Sequence, residues 1–277
     1  MAIKVYKRNH AGRRNMSVIK PAAVTDKKPE KSLCMSLNKK AGRANGKISV
    51  RHRQVGAKKL YRMVDFAMNK MDIPGKITAI EKDPNRSALI ALVTYADGEK
   101  RYVLATEGMR VGMTIITAEN APIEEGNRAK LKNIVSGTVV SNIEMKRGGG
   151  GQIIRSAGSS ALVMSVDEKY AQLKMPSGEI RLFDNECFAT VGAVSNFEHN
   201  TVKIGKAGRA RHMGKRPAVR GSAMNPVDHP HGGGEGTQPI GLKYPKTPWG
   251  RPALGVRTRR KRKSSDKMIV KSRHKKK

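Results

Sequence analysis

Ser87-Ala-Leu-Ile-Ala-Leu-Val-Thr-Tyr-Ala96 is a ten-residue run rich in aliphatic and β-branched side chains, and Asp97-Gly98 followed by Lys100-Arg-Tyr-Val-Leu104 comes directly after it. Such a run, bounded by a turn pair, reads as a strand. Asp-Gly is a two-residue hairpin signal because both turn positions need positive φ, so the stretch predicts an antiparallel hairpin. The same grammar repeats outward. Ala171, Leu173 and Met175 alternate into Pro176-Ser177-Gly178, and Ile180 and Leu182 resume on the far side. Val111-Gly-Met-Thr-Ile-Ile-Thr117, Val135-Ser-Gly-Thr-Val-Val140 and Ala161-Leu-Val-Met-Ser-Val166 add short strands at barrel spacing. No sustained 3.6-residue period runs from Pro74 onward, which argues against helices. The middle of the chain, 61–200, has room for two small barrels, and the polar, turn-prone Glu124-Glu-Gly-Asn-Arg128 is the expected seam between 61–128 and 129–200.

Charge separates this middle from its flanks. The 277 residues hold 56 Lys and Arg against 22 Asp and Glu, a net charge of +34. Residues 1–60 carry 17 basic and 2 acidic side chains, 61–200 carry 17 of each, and 201–277 carry 22 basic and 3 acidic. A neutral, apolar-rich body between two cationic extensions calls for a polyanion to offset self-repulsion, and nucleic acid is the commonest one in cells. Hydrophobic residues make up 38% of the chain, below the usual share of about 45 to 50%, so the core is small. Four Phe, six Tyr and one Trp are too few for reading many unstacked bases, which favours contacts to phosphate.

Cys34 and Cys187 lie far apart and outside any CxxC spacing, so neither a disulfide framework nor a thiolate metal site is expected, and a reducing compartment fits. No charge-free run exceeds 11 residues, against the roughly 18 needed for a spanning helix; no membrane partner and no secretion are expected. Gly148-Gly-Gly-Gly151 lacks the Lys-Ser/Thr of a phosphate-binding loop and reads as a flexible loop or a close backbone approach.

The extensions carry the chemistry. The last 77 residues contain 11 Gly and 7 Pro and little apolar periodicity, so they are not expected to bury a core of their own. Gly205-Lys-Ala-Gly-Arg-Ala-Arg-His212 and Arg216-Pro-Ala-Val-Arg220 interleave cations with small residues, which lets backbone approach a phosphate-lined wall. Lys206, Arg209, Arg211, Arg216 and Arg220 are therefore candidate RNA ligands, as are Arg51, His52 and Arg53 in the other extension. Arg257, Arg259 and Arg260 open Arg257-Thr-Arg-Arg-Lys-Arg-Lys263, which has six basic residues in seven. Within Met224-Asn-Pro-Val-Asp-His-Pro-His-Gly-Gly-Gly-Glu-Gly236 the cations vanish and Asp228, His229, His231 and Glu235 gather around glycines. Three readings compete: a metal site, general acid/base chemistry, and a slender coreless finger that contacts RNA through Asn225, His229 and His231.

These strings together closely resemble the large-subunit ribosomal protein two family of bacteria and organelles. The likeness runs nearly end to end, through Pro29-Glu-Lys-Ser32, Val50-Arg-His-Arg53, Asp83-Pro-Asn-Arg-Ser-Ala88, Tyr95-Ala-Asp-Gly-Glu-Lys-Arg-Tyr102, Arg155-Ser-Ala-Gly158, Gly205-Lys-Ala-Gly-Arg209, the 224–236 motif and Thr247-Pro-Trp-Gly250. The resemblance implies an all-β fold, an oligonucleotide-binding-type barrel followed by an SH3-like barrel, with long irregular basic N- and C-terminal extensions. It further implies that Arg86 and Arg155 are RNA-binding arginines on the two barrels, and that His229 matches a histidine proposed to matter for peptidyl transfer. Implied partners are large-subunit ribosomal RNA, other ribosomal proteins and the small subunit at the interface, in a cytoplasmic or organellar ribosome. No catalytic residue, metal or cofactor is expected. The chain departs from the family pattern at Gln54-Val55-Gly56, Met145-Lys146-Arg147 and Thr237-Gln238.

Two functions of different class fit. One is a structural RNA-binding component that supports large-subunit assembly, subunit association and the RNA around the peptidyl transferase centre. The other is a free-standing RNA-remodelling or assembly factor on the same barrels, with a sequence-blind DNA compactor third.

Overall fold

The computed structural model describes residues 2–21, 23–38, 40–236, 238–260 and 262–273; Thr237 and Lys261, each in a motif quoted above, lie outside them. Two compact units are present. The first comprises Met1–Asn38, Lys58–Arg209 and Ser265–Lys277, the second Lys39–Ala57 and Ala210–Ser264.

In the first unit, four antiparallel strands follow the order Thr114–Ile115, Gly75–Lys82, Leu89–Tyr95, Lys100–Leu104. Val64 bridges Tyr102 in parallel at the outer edge. The central Leu89–Tyr95 strand is buried on both faces, which is why its sequence is a continuous apolar run rather than an alternation. Leu89, Ala91, Val93 and Tyr95 pack with Ile77, Ile80, Val103 and Ile115, while Ile90 and Leu92 pack with Ala79 and Tyr102 on the other face. Gly75 is required by this packing, since a Cβ there would lie 2.4 Å from Val93 Cγ1. The hairpin turn differs from the two-residue form expected. Only Gly98 has positive φ (81°), Gly98 N–H donates to Tyr95 O at 2.9 Å, and Tyr95 pairs with Glu99 across a three-residue loop. A type I turn closed by a left-handed glycine needs one positive φ, not two.

A second sheet follows the order Arg128–Lys130, Phe188–Val191, Val139–Ser141, Ala161–Val166, Tyr170–Lys174, Ile180–Asp184, Ile269–Lys271. Its core gathers Leu131, Ile134, Val140, Ile143, Val163, Leu173, Phe183 and Cys187. The Tyr170–Lys174 and Ile180–Asp184 strands form the second expected hairpin, again with a three-residue loop and Gly178 at φ 82°. The fold is all-β: an oligonucleotide-binding-type barrel followed by an SH3-like barrel, with long basic extensions.

Several sequence readings are corrected. Of 111–117 only Thr114–Ile115 is strand, and of 135–140 only Val139 and Val140 are, in Val139–Ser141. The polar, turn-prone stretch 124–128 ends in the interior: Asn127 is 3% exposed and Arg128 is fully buried. Arg128 enters because partners await it. Its Nη2 lies 3.1 Å from Glu144 Oε1, and its Nη1 donates to Asn142 O (2.8 Å) and Thr190 Oγ1 (3.3 Å). Burial lowers the guanidinium's pKa while Glu144 pulls it back up. The Ile269–Lys271 strand, deep in the cationic tail, adds to the second sheet through Ile180–Asp184. The N-terminal extension also holds paired strands, Ala2–Val5 with Ser17–Lys20 and Cys34–Ser36 with Leu60–Arg62. Both cysteines are free, and burial raises the Cys187 thiol pKa to about 11, which disfavours its thiolate.

The second unit is held differently. Its backbone pairs in short pieces, locally in Arg43–Ala44 with Lys47–Ile48 and between its two distant segments in the Arg53–Lys215 bridge, but among its described residues no hydrophobic side chain is buried.

Candidate nucleic-acid interface

Phe66 follows the Leu60–Arg62 strand in a turn fixed by Asp65, whose Oδ1 accepts the N–H groups of Ala67 (3.0 Å) and Met68 (2.8 Å). Arg101 clamps the other oxygen, its Nη1 2.7 Å from Asp65 Oδ2. The glycine run meets this turn from the second barrel: Gly151 N–H donates to Phe66 O at 2.8 Å, and a Cβ on Gly150 would lie 3.3 Å from Ala67 Cα. Close backbone approach is thus the role of those glycines. Arg155 lies just beyond them, its guanidinium carbon 4.3 Å from the Phe66 ring centroid, and Arg86 from the first barrel sits over the same ring at 5.4 Å.

Each arginine is held from behind. Arg86 Nε donates to Asp83 Oδ2 at 2.6 Å, and Asp83, 1% exposed, also accepts from Asn85 N–H at 2.9 Å. Arg155 Nη1 donates to Gly151 O at 3.2 Å and is otherwise exposed. The two host loops are tied together, because Ala157 N–H donates to Ser87 Oγ (3.1 Å) and Asn196 Nδ2 to Ser87 O (2.5 Å). Leu89 N–H donates to Ser195 Oγ at 3.1 Å beneath them. Two cations from different barrels are therefore fixed on one aromatic ring, with planar forks suited to phosphate.

The second unit brings together part of the remaining set. His52, at φ 60°, accepts Arg216 N–H on its carbonyl and places Nδ1 3.0 Å from Pro217 O. Gln54 Nε2 donates to Arg211 O, and Arg51 lies over the Trp249 ring at 5.3 Å. Asn225 O accepts Asp228 N–H and His229 N–H at 3.0 and 3.3 Å, closing the turn that carries the histidines. His229 is 7% exposed, so the finger expected to be coreless is packed at this point. Its Nδ1 accepts His231 N–H at 3.0 Å, and His231 Nε2 accepts Lys246 N–H at 2.8 Å. Each ring thus uses its lone-pair nitrogen on a backbone donor, which fixes the tautomer and occupies the atom a metal would need. Among the described residues no group of three or more His, Cys, Asp or Glu could hold a metal ion.

The other candidates stand apart from these clusters. Lys206 is exposed, Arg209 Nη1 donates to Ser17 O at 3.0 Å, Arg220 precedes the Gly221–Ala223 turn, and Arg257, Arg259 and Arg260 are exposed.

Electrostatics separate carboxylate-paired cations from unpaired ones, Arg86 being paired through its Nε. Arg62, Lys70, Arg86, Lys100, Arg101, Arg128, Lys130, Lys132 and Arg147 form salt bridges. Arg51, Arg53, Lys206, Arg211, Arg216, Arg220 and Arg257 form none with a described carboxylate. These are available to a polyanion. Sequence reading missed Phe66, the shared platform; an aromatic directly after an acidic turn residue was the only signal.

A two-barrel body with paired arginines on one face and two cationic extensions defines an RNA-binding protein of the ribonucleoprotein class. The chain matches the family described as Ribosomal Proteins L2, RNA binding N-terminal domain, over residues 30–117, and Ribosomal Proteins L2, C-terminal domain, over residues 124–250. It belongs to the ribosomal L2 family and is a ribosomal RNA-binding protein of the large subunit.

Proposed function

We propose that the chain is a non-enzymatic structural component that supports large-subunit assembly, subunit association and the RNA around the peptidyl transferase centre. In this reading 61–128 and 129–200 are the two barrels that dock on folded RNA through Arg86 and Arg155. The extensions 1–60 and 201–277 thread between RNA segments, with Arg51, His52, Arg53, Lys206, Arg209, Arg211, Arg216, Arg220, Asn225, His229, His231, Arg257, Arg259 and Arg260 as the contacting residues. Other ribosomal proteins and the small subunit are neighbours, in a cytoplasmic ribosome or an organellar one. The observation that carries this is the convergence of Arg86 and Arg155 on Phe66, which offers two fixed guanidinium groups on a rigid body. Sedimentation tests it. A structural component stays with the large subunit through a high-salt wash and joins subunit pairs, whereas an assembly factor leaves before maturation.

A further inference from the structure

Trp249 is the chain's one tryptophan, and its residue is 76% exposed. It occupies a rigid tip. Thr247 N–H donates to Arg251 O at 2.7 Å, Gly250 N–H donates to Thr247 O at 2.9 Å, and Arg251 N–H donates to Thr247 Oγ1 at 3.2 Å. Pro248 presets the first loop position and Gly250, at φ 78°, takes the third, so Trp249 sits in the middle of the same three-residue loop that closes the barrel hairpins. Lys246 pairs with Pro252 below the turn and gives its N–H to His231, which anchors the tip to the histidine loop.

Over the indole lies Arg51, its guanidinium carbon 5.3 Å from the ring centroid. The other aromatic of the C-terminal extension repeats the arrangement: Tyr244 is 57% exposed with Lys243 Nζ 5.8 Å from its ring centroid. In the barrels Tyr95, Tyr102 and Phe183 are buried, while Phe197 is 56% exposed. An exposed indole alone carries no message, because single exposed apolar residues are ordinary. An indole on a preorganised turn, beside a cation with no described carboxylate partner and in a strongly cationic extension, has the parts of a stacking platform for a nucleic-acid base.

We propose that Trp249 and Arg51 form a binding site for one unstacked nucleobase of single-stranded RNA. The base stacks on the indole and Arg51 neutralises the adjoining phosphate. This deepens the RNA-binding reading given above and rests on it. Low aromatic content argues against many such platforms, and one is compatible with it.

Because Trp249 is the sole tryptophan, the full-length protein reports on the site without a label. Titration with a single-stranded oligoribonucleotide should quench its emission in step with binding measured separately by filter retention. Inorganic polyphosphate, which has charge and no ring, should bind without quenching. Trp249→Ala should weaken RNA binding roughly five- to a hundredfold, Trp249→Phe should restore most of it, and the salt slope should stay unchanged because no phosphate contact is lost. Arg51→Gln should instead flatten that slope by about 0.7. An unquenched indole in a saturated RNA complex, or equal quenching by polyphosphate, overturns the platform and leaves a protein surface as the indole's partner. Absence of RNA binding by the unaltered protein overturns the RNA reading itself along with the platform.

Discussion

Arg86 and Arg155 come from different barrels and meet over one phenyl ring, 5.4 and 4.3 Å from the centroid of Phe66. The pair is a single site whose geometry depends on the inter-barrel joint at Ser87, Ala157 and Ser195.

Their removal should have unequal effects. Arg155 is exposed and bonds only a carbonyl among the described residues, so Arg155→Gln should weaken RNA binding with an unchanged melting curve. The Arg86 side chain is 17% exposed and faces an Asp83 side chain that is fully buried, so Arg86→Gln should also lower stability by about 1 to 3 kcal/mol. Phe66→Leu should weaken RNA binding by loosening both guanidinium groups. Calorimetry beside filter binding separates the three variants, and equal melting losses for both arginine variants would show that Arg155 is structural.

Much of the body was legible because its strands follow simple patterns: Leu89–Tyr95 is a pure apolar run and Tyr170–Lys174 alternates cleanly into Gly178. What escaped depended on distant partners. Arg128 looks like a surface residue until Glu144 and Asn142 converge on it, and Ile269–Lys271 has no period of its own and becomes a strand only against Ile180–Asp184. Motif strings singled out Arg86 and Arg155, which the structure brings together, but gave no hint of Phe66 between them. The 39–57 and 210–264 segments form one unit through short backbone pairings that leave no hydrophobic pattern to read.

The Arg128–Glu144 pair should behave as a coupled unit. Arg128→Met leaves Glu144, 2% exposed, without its counter-charge and should destabilise the protein by about 3 to 5 kcal/mol. Adding Glu144→Leu should return part of that loss, because it removes the unpaired buried charge, although Phe188 N–H loses its acceptor. A double-mutant cycle in urea checks this, and strictly additive losses would refute the coupling.

Glu186 gives a pH signature. Lys130 Nζ and Lys132 Nζ lie 2.8 and 2.9 Å from its carboxylate and lower its pKa from 4.5 to about 2. A depressed folded-state value means that the stabilisation is present above pH 4.5 and is lost as pH falls toward 2. The carboxyl carbon of Glu186 should titrate near 2 by NMR, moving upward in high salt or in Lys130→Met. A midpoint near 4.5 would mean that the lysine contacts do not persist in solution.

Free protein should show strong hydrogen-exchange protection in the two barrels and weak protection through residues 210–264. Ordering backbone opposes folding by about 1 to 2 kcal/mol per residue, and the second unit has hydrogen bonds but no buried hydrophobic side chain among its described residues to offset it. Limited proteolysis should therefore cut first within 39–57 and 210–264, and bound RNA should suppress those cuts. Barrel-like protection across 210–264 without RNA would refute partner-dependent ordering.

His229 is expected to position the loop that meets RNA, not to exchange protons during peptide-bond formation. The residue is 7% exposed, its Nδ1 is taken by His231 N–H, and Gly221 lies so close that an added Cβ would fall 2.4 Å from Cε1. A packed ring with one nitrogen committed to backbone holds geometry well and reaches a substrate poorly. Gly221→Ala should therefore reproduce His229→Ala, impairing subunit assembly or association, because both disturb the same packing. A general acid or base contributes roughly a hundred- to ten-thousandfold to the chemical step. Fully assembled His229→Ala subunits should form peptide bonds within about tenfold of normal, below that range. Single-turnover kinetics decides: a loss beyond about a hundredfold in His229→Ala, with its pH dependence gone and Gly221→Ala unaffected, would establish proton transfer instead.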